Sequence, residues 1–384
     1  MRQKTELPKA VYIHIPFCTN KCHYCDFNSY VLKGQPVQDY LDALEREMER
    51  TVTEVPARAI ETVFVGGGTP TVLLPDQMRR FLQLVQTYFP DQAAGLEFSM
   101  EANPGTTDLE KLHAMKEGGV NRISFGVQSF DNALLLELGR IHNTDDVYRS
   151  LENAKAVGFD NLSIDLMFGL PKQTTAIMED TLDKALALDL QHYSIYSLKI
   201  EENTLFHTLY HKNKLPLPDE EDELAMYLTI MRRLKEAGYE QYEISNFARP
   251  GRQSRHNSAY WRNESYYGIG AGAHGYMRGF RHVNIKGVQP YIEATRQGLP
   301  ILERFEVTEQ EAMEDFMMVG LRQLRGVKRE EFRAQFGREL QEVFAAPLQR
   351  LIAQGMLISD GEGYRLSEQG LLFGNDVFAQ FLED

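Results

Sequence analysis

Hydrophobic residues along this chain recur in two rhythms. Short β-branched and aromatic runs predict strands at 11–16 (VYIHIP), 62–67 (TVFVGG), 96–102 (LEFSMEA), 122–127 (RISFGV), 162–169 (LSIDLMFG), 193–199 (YSIYSLK) and 242–247 (YEISNF). Between them lie amphipathic, helix-length segments such as DYLDALEREMERTV, DVYRSLENAKAVGF and EDELAMYLTIMRRLKEAGY, several closing on glycine with a cation nearby. Repeated βα units with short connections require a parallel sheet, open or curled. Polar candidates fall at the end of nearly every predicted strand: Cys18 to Cys25, the GGGTPT run, Glu101, Gln128, Asp165, Lys199. A barrel builds its site from many strand ends, whereas an open sheet gathers it at one switch point, so the pattern favours the barrel.

After residue 248 the rhythm breaks. RPGRQSRHNSAYWRNESYYGIGAGAHGYMRG has no clean period, and helical stretches from 308 onward lead to a hairpin over 356–370 turned at Gly361–Gly363. The expected architecture is α/β: a partial (β/α)6 TIM-like barrel over 8–248 and a mainly helical, winged-helix-like C-terminal domain over 249–384.

Composition narrows the function classes. The chain's 384 residues exceed what one core usually serves, and 43% apolar with 25% charged residues is ordinary for a globular protein. No apolar run reaches spanning length, and MRQKTELPKA lacks the apolar core of a signal peptide, so the expected location is the cytoplasm. A net charge of −14 argues against nucleic acid as a partner and gives the winged-helix-like tail a packing or protein-binding role.

The candidate chemistry begins with the three cysteines, Cys18, Cys22 and Cys25, spaced C-x3-C-x2-C. Thiolates bind soft metal centres. Structural zinc needs four ligands, which His14 or His23 would have to complete; three buried structural thiols are a second reading; a 4Fe-4S cluster with one open iron is the favoured third. Gly66, Gly67 and Gly68 suit either a tight turn or a close backbone approach to a ligand. Glu101 reads as a surface carboxylate or as an acceptor for a ribose hydroxyl or an ammonium. Asp165, between Ile164 and Leu166, is a charge in a buried-looking strand and needs a partner.

The C-x3-C-x2-C triplet after the first strand, with GGGTP after the second, resembles the radical S-adenosylmethionine (SAM) superfamily. There the methionine moiety chelates the open iron, and one electron cleaves the sulfonium. YIHIPFC, CDFN, VFVGGGTPT, FGVQSF and IDLMFGLPKQT are similar to the oxygen-independent coproporphyrinogen III oxidase group over roughly residues 10 to 280. The resemblance implies that Tyr12, Gly67, Gly68, Thr69, Glu101, Gln128, Arg140 and Asp165 contact SAM. The oxidases carry a further cysteine where this chain has Phe27, and a longer segment before the first strand. Both departures are shared by the heme chaperones of that group, the HemW family, and HNSAYW (His256–Trp261) matches their H-N-x-x-Y-W signature.

That resemblance implies a protein binding heme, a 4Fe-4S cluster and SAM, which hands heme to apoproteins such as respiratory-chain cytochromes. It implies an electron donor, peripheral placement at the inner face of the membrane, and room for a homodimer. His256 becomes the candidate axial heme ligand, with His274 as competitor; in the bland alternative His256 caps a loop and Trp261 fills a domain junction. Oxidative decarboxylation of coproporphyrinogen III is the enzyme alternative.

Overall fold

The structure, a computed structural model, describes residues 6–382. Six strands fall where the alternation predicts them: β1 (Ala10–Ile15), β2 (Ile60–Gly67), β3 (Gln92–Ala102), β4 (Arg122–Gln128), β5 (Leu162–Phe168) and β6 (His192–Ser197). They alternate with α1 (Val37–Glu54), α2 (Pro75–Tyr88), α3 (Leu109–Glu117), α4 (Thr144–Ala156), α5 (Thr175–Ala187) and α6 (Glu220–Glu236). Side chains of Asp108, Asn143, Thr174 and Asp219 cap α3 to α6, each satisfying an otherwise orphaned N–H and contributing about 1 kcal/mol.

All six strands run parallel and pair in chain order. An order without reversal is what a barrel requires, because each right-handed crossover then advances the same way around. Period-two alternation divides each strand's side chains. Ile13, Val63, Val65, Ile123, Phe125 and Ile164 are buried in the large apolar core. Their neighbours Tyr12, Thr62, Glu101, Ser124, Asp165 and Ser194 take the opposite face, which makes the lumen polar.

The predicted strand at 242–247 is not a seventh barrel strand. It breaks into Glu240–Gln241 and β7 (Asn246–Ala248), which lie antiparallel at the sheet edge beyond β6. The cause is Glu243, whose carboxylate accepts from Ser245 N–H (2.8 Å) and Asn246 Nδ2 (2.6 Å) and curls the backbone out of strand geometry. The seventh parallel strand is instead β8 (Tyr266–Ile269), added to the far side of β1. It sits in the glycine-rich stretch, where Gly268 has no room for a side chain: a Cβ would lie 1.8 Å from the His274 carbonyl oxygen. Strands β9 (His274–Met277), β10 (Phe280–Asn284) and β11 (Ile301–Glu306) continue the sheet antiparallel. Hydrogen bonding thus carries the large sheet to residue 306, beyond the division predicted at 248.

The remaining chain has its own core, built on Phe316, Phe332, Phe344 and Phe378. Helices Glu309–Gly320, Arg329–Phe336 and Ala345–Ala353 pack with a three-stranded antiparallel sheet of β12 (Val327–Lys328), β13 (Leu357–Ser359) and β14 (Gly363–Leu366), in the order β12-β14-β13. The hairpin turns at 360–362, one residue ahead of the predicted Gly361–Gly363, and Gly363 opens β14. Among the described residues no helix is long and apolar enough to cross a membrane.

Candidate functional site

The cysteines sit on a loop closed at its base by a two-rung parallel ladder, Phe17–Cys18 against Tyr30–Val31. Lys21 Nζ spans the loop, donating to the Phe27 carbonyl (2.6 Å) and Ser29 Oγ (2.9 Å). Its far side is tied to the segment after β4: Asn20 Nδ2 donates to Gly139 C=O (2.8 Å) and His23 N–H to Leu138 C=O (3.0 Å). All three thiols are free and half-buried, and they line one cavity of about 320 Å³ at the C-terminal end of the barrel. Gly67, Gly68, Thr69, Glu101, Gln128, Arg140 and Asp165 line the same cavity, so ten of the eleven cluster and SAM candidates meet in one place.

Tyr12 is the exception: it is not among the lining residues, and its hydroxyl is 2.8 Å from His14 Nδ1. His14 is not free to complete a metal site either, since its Nε2 lies 2.8 Å from the Asn28 carbonyl. Among the described residues no three His, Cys, Asp or Glu side chains converge on a single ion.

A belt of hydrogen bonds links two of the thiols. Arg140 donates through one nitrogen to Cys22 Sγ (3.3 Å) and through the other to Asn103 Oδ1 (2.6 Å) and Gly126 C=O (2.5 Å). Asn103 Nδ2 passes the contact to Thr69 Oγ1 (2.8 Å), which donates to Cys18 Sγ (3.6 Å). Burial pushes the Cys18 and Cys25 thiols up. Burial opposes charge on Arg140 too, but Tyr24 and Cys22 beside it keep the guanidinium firmly protonated. A cationic clamp on thiols is what thiolate ligation needs.

The carboxylates are the other half of the site. Burial, then repulsion from Asp165, pushes Glu101 up to about 7, although Gly67 N–H donates to its Oε2 (3.1 Å). Asp165 is raised by burial as well, against the hydrogen bonds of Ser194 and Ser124, the latter 3.0 Å away. Gln128 holds φ at +71°, an uncommon value for a residue with a Cβ, at an irregularity where β4 leaves its register with β5. The glycine run is shaped by protein as well as by ligand space: a Cβ on Gly66 would fall 2.7 Å from Glu101 Oε2, and one on Gly68 would fall 2.6 Å from the Phe17 carbonyl oxygen.

Tyr24, an aromatic neighbour of the cysteines in the sequence, lines the cavity, and so do Asn103 and Tyr196, which the sequence did not single out. Asn103 had a signal, two residues beyond Glu101 at a strand end; Tyr196 had none. Phe27 stands on the cavity lip, 63% exposed.

His256 lies elsewhere. The helix α7 (Arg255–Trp261) abuts β2 and β3 through Thr62 and Glu97, at the opposite end of these strands from Gly67 and Glu101. His256 is 0% exposed, with Nδ1 2.8 Å from Thr62 Oγ1 and Nε2 2.8 Å from Tyr260 Oη, while its ring stacks on Phe64 at 5.2 Å. Burial, helped by Arg122, drives its pKa down to about 3. In this arrangement both ring nitrogens of His256, the candidate axial ligand, are engaged by protein hydroxyls. His274 is exposed at the start of β9.

The Radical SAM superfamily pattern matches residues 12–185 and that of the HemN C-terminal domain matches residues 307–373. The chain is 45% identical to the heme chaperone HemW of Bacillus subtilis, over 97% of this chain and 99% of that protein. It is 37% identical to the heme chaperone HemW of Escherichia coli, over 98% and 99% respectively. The mouse mitochondrial radical S-adenosyl methionine domain-containing protein 1 is 35% identical over 94% of this chain and 84% of its own. Coproporphyrinogen III oxidase (HemN) from Escherichia coli shares the fold, with a TM-score of 0.85 at 24% identity over 99% of this chain and 92% of that one.

Proposed function

The chain belongs to the heme chaperone HemW family of the radical SAM superfamily, and from that premise we propose that it carries heme and passes it to apoproteins such as respiratory-chain cytochromes. A radical SAM domain implies a 4Fe-4S cluster and SAM. Cys18, Cys22 and Cys25 would hold the cluster, which supplies the electron for sulfonium cleavage when bound. Gly67, Gly68 and Thr69 would meet the methionine head group with backbone and hydroxyl. Glu101 would accept from its ammonium or from the ribose, with Gln128 and Asp165 around the rest. Arg140 donates to Cys22 Sγ and, through Asn103 and Thr69, fixes Cys18.

Phe27 carries the choice of transport over decarboxylation. The oxidases that this chain resembles place a further cysteine there; here a largely exposed aromatic ring occupies the lip. The test is anaerobic. Reconstituted protein loaded with heme should transfer it to an apocytochrome, and should leave coproporphyrinogen unchanged; decarboxylated product would sink the carrier-only reading.

A further inference from the structure

Heme needs three things from a protein: an imidazole with a lone pair for iron, an apolar or aromatic surface for the macrocycle, and cations for two propionates. With His256 sealed, that set must come from other residues. His14 and His192 are likewise buried with both ring nitrogens engaged.

The helix Leu205–His211 brings the three requirements together. His207 and His211, four residues apart on one face, place their Nε2 atoms 3.1 Å from each other; His211 is exposed and His207 half-buried. The Tyr210 ring lies 5.6 Å from that of His211, and on the same helix Tyr210 is 50% and Leu205 46% exposed. Directly after the helix come Lys212 and Lys214, both exposed and in no ion pair among the described residues. The helix is anchored to the cysteine loop: Phe206 N–H donates to His23 C=O (3.0 Å), and the Phe206 ring meets His23 at 6.1 Å and Tyr24 at 6.5 Å. A ligand on this helix therefore lies next to the loop whose thiols face the cavity.

We propose that this helix is the heme-binding element, with His211 the axial ligand, Tyr210 and Leu205 against the macrocycle, and Lys212 and Lys214 on the propionates. His211 gives up one hydrogen bond, to half-buried His207, to free its Nε2, whereas His256 would have to leave the interior. His207 acts as a positioning residue that holds the His211 ring. The inference rests on the heme-carrier reading above.

The test uses the full reconstituted chain titrated with hemin, read by the Soret band and affinity. His211→Ala should move the Soret band and weaken heme binding by about tenfold or more, and the His207→Ala/His211→Ala pair should not exceed that loss greatly. Lys212→Glu/Lys214→Glu should weaken hemin several-fold yet leave hemin dimethyl ester, which lacks free propionates, unaffected. His211, Lys212 and Lys214 are exposed and His207 is half-buried; folding of every variant is checked by the retained iron–sulfur absorbance. Wild-type protein that binds hemin alongside a double histidine variant with the same Soret band and affinity overturns the assignment alone. Wild-type protein that takes up no hemin overturns the heme-carrier reading and the assignment with it.

Discussion

The two ends of the barrel use the same vocabulary of histidine, tyrosine and glutamate and reach opposite results. At the end closed by α7 the histidines and Glu97 are matched by protein partners: His256 on both nitrogens, Glu97 by the backbone N–H groups of Arg255 and His256 at 3.0 and 3.1 Å, and His192 Nε2 by Tyr242 Oη at 2.8 Å, which accepts from Ser254 N–H at 3.2 Å. At the cysteine end capacity is left over. Glu101 and Asp165 are buried without a cation in direct contact, and their proton affinities rise as a result. Histidines and carboxylates matched inside the protein are structure; carboxylates that face a cavity are a place for a ligand.

That contrast breaks most sharply at a thiol. Cys22→Ala should abolish the iron–sulfur absorbance of reconstituted protein, while His256→Ala should leave it intact; loss of the cluster in both would show that the two ends are not separable. Next comes the cost at the closed end. Removing the His256 imidazole orphans two hydroxyls and opens a cavity, so denaturant unfolding should show about 3 kcal/mol lost. A loss below about 1 kcal/mol would mean that the network relaxes as readily as a surface.

Glu101 sharpens the open end. With its carboxyl near 7, SAM affinity should increase as pH climbs from 6 to 8, because the carboxylate is the form that accepts from the ammonium or ribose. Glu101→Gln should bind about tenfold more weakly and with no such pH dependence, measured calorimetrically without oxygen. The last test concerns His256 again. Its folded-state pKa is depressed to about 3 from 6.5, so the unfolded chain takes up a proton first as pH falls. Stability should be full above about 6.5 and decline by up to ~1.4 kcal/mol per pH unit on acidification toward 3. A pH titration of the unfolding midpoint in wild type against His256→Asn isolates that contribution.

Much of this was legible in the linear chain, for a local reason. Strand alternation and helix period are set by which side chains face water, so β1 to β6 and their helices could be placed from pattern alone. The cysteine triplet, the glycine run and Glu101 could also be placed at strand ends, and strand ends in a barrel converge. What the pattern hid were contacts between distant segments. Gly268 and its neighbours erase the apolar signature of β8, which is a strand because β1 offers it an open parallel edge. Residues 242–247 carry a strand signature, but Glu243 caps its own backbone more favourably than the ladder does.

The division of roles among the histidines follows the same rule. The sequence by itself determined that a chemistry-bearing loop would sit at the mouth of a βα barrel, because residue types and periodicity are one-dimensional facts. Only the tertiary structure decided which polar groups would remain free. Asn103 joined the site because it spans Arg140 and Thr69, and His256 left it because Thr62 and Tyr260, from separate elements, close on its two nitrogens. Whether a lone pair is available depends on which groups surround it in space, and that is settled by packing rather than by position along the chain.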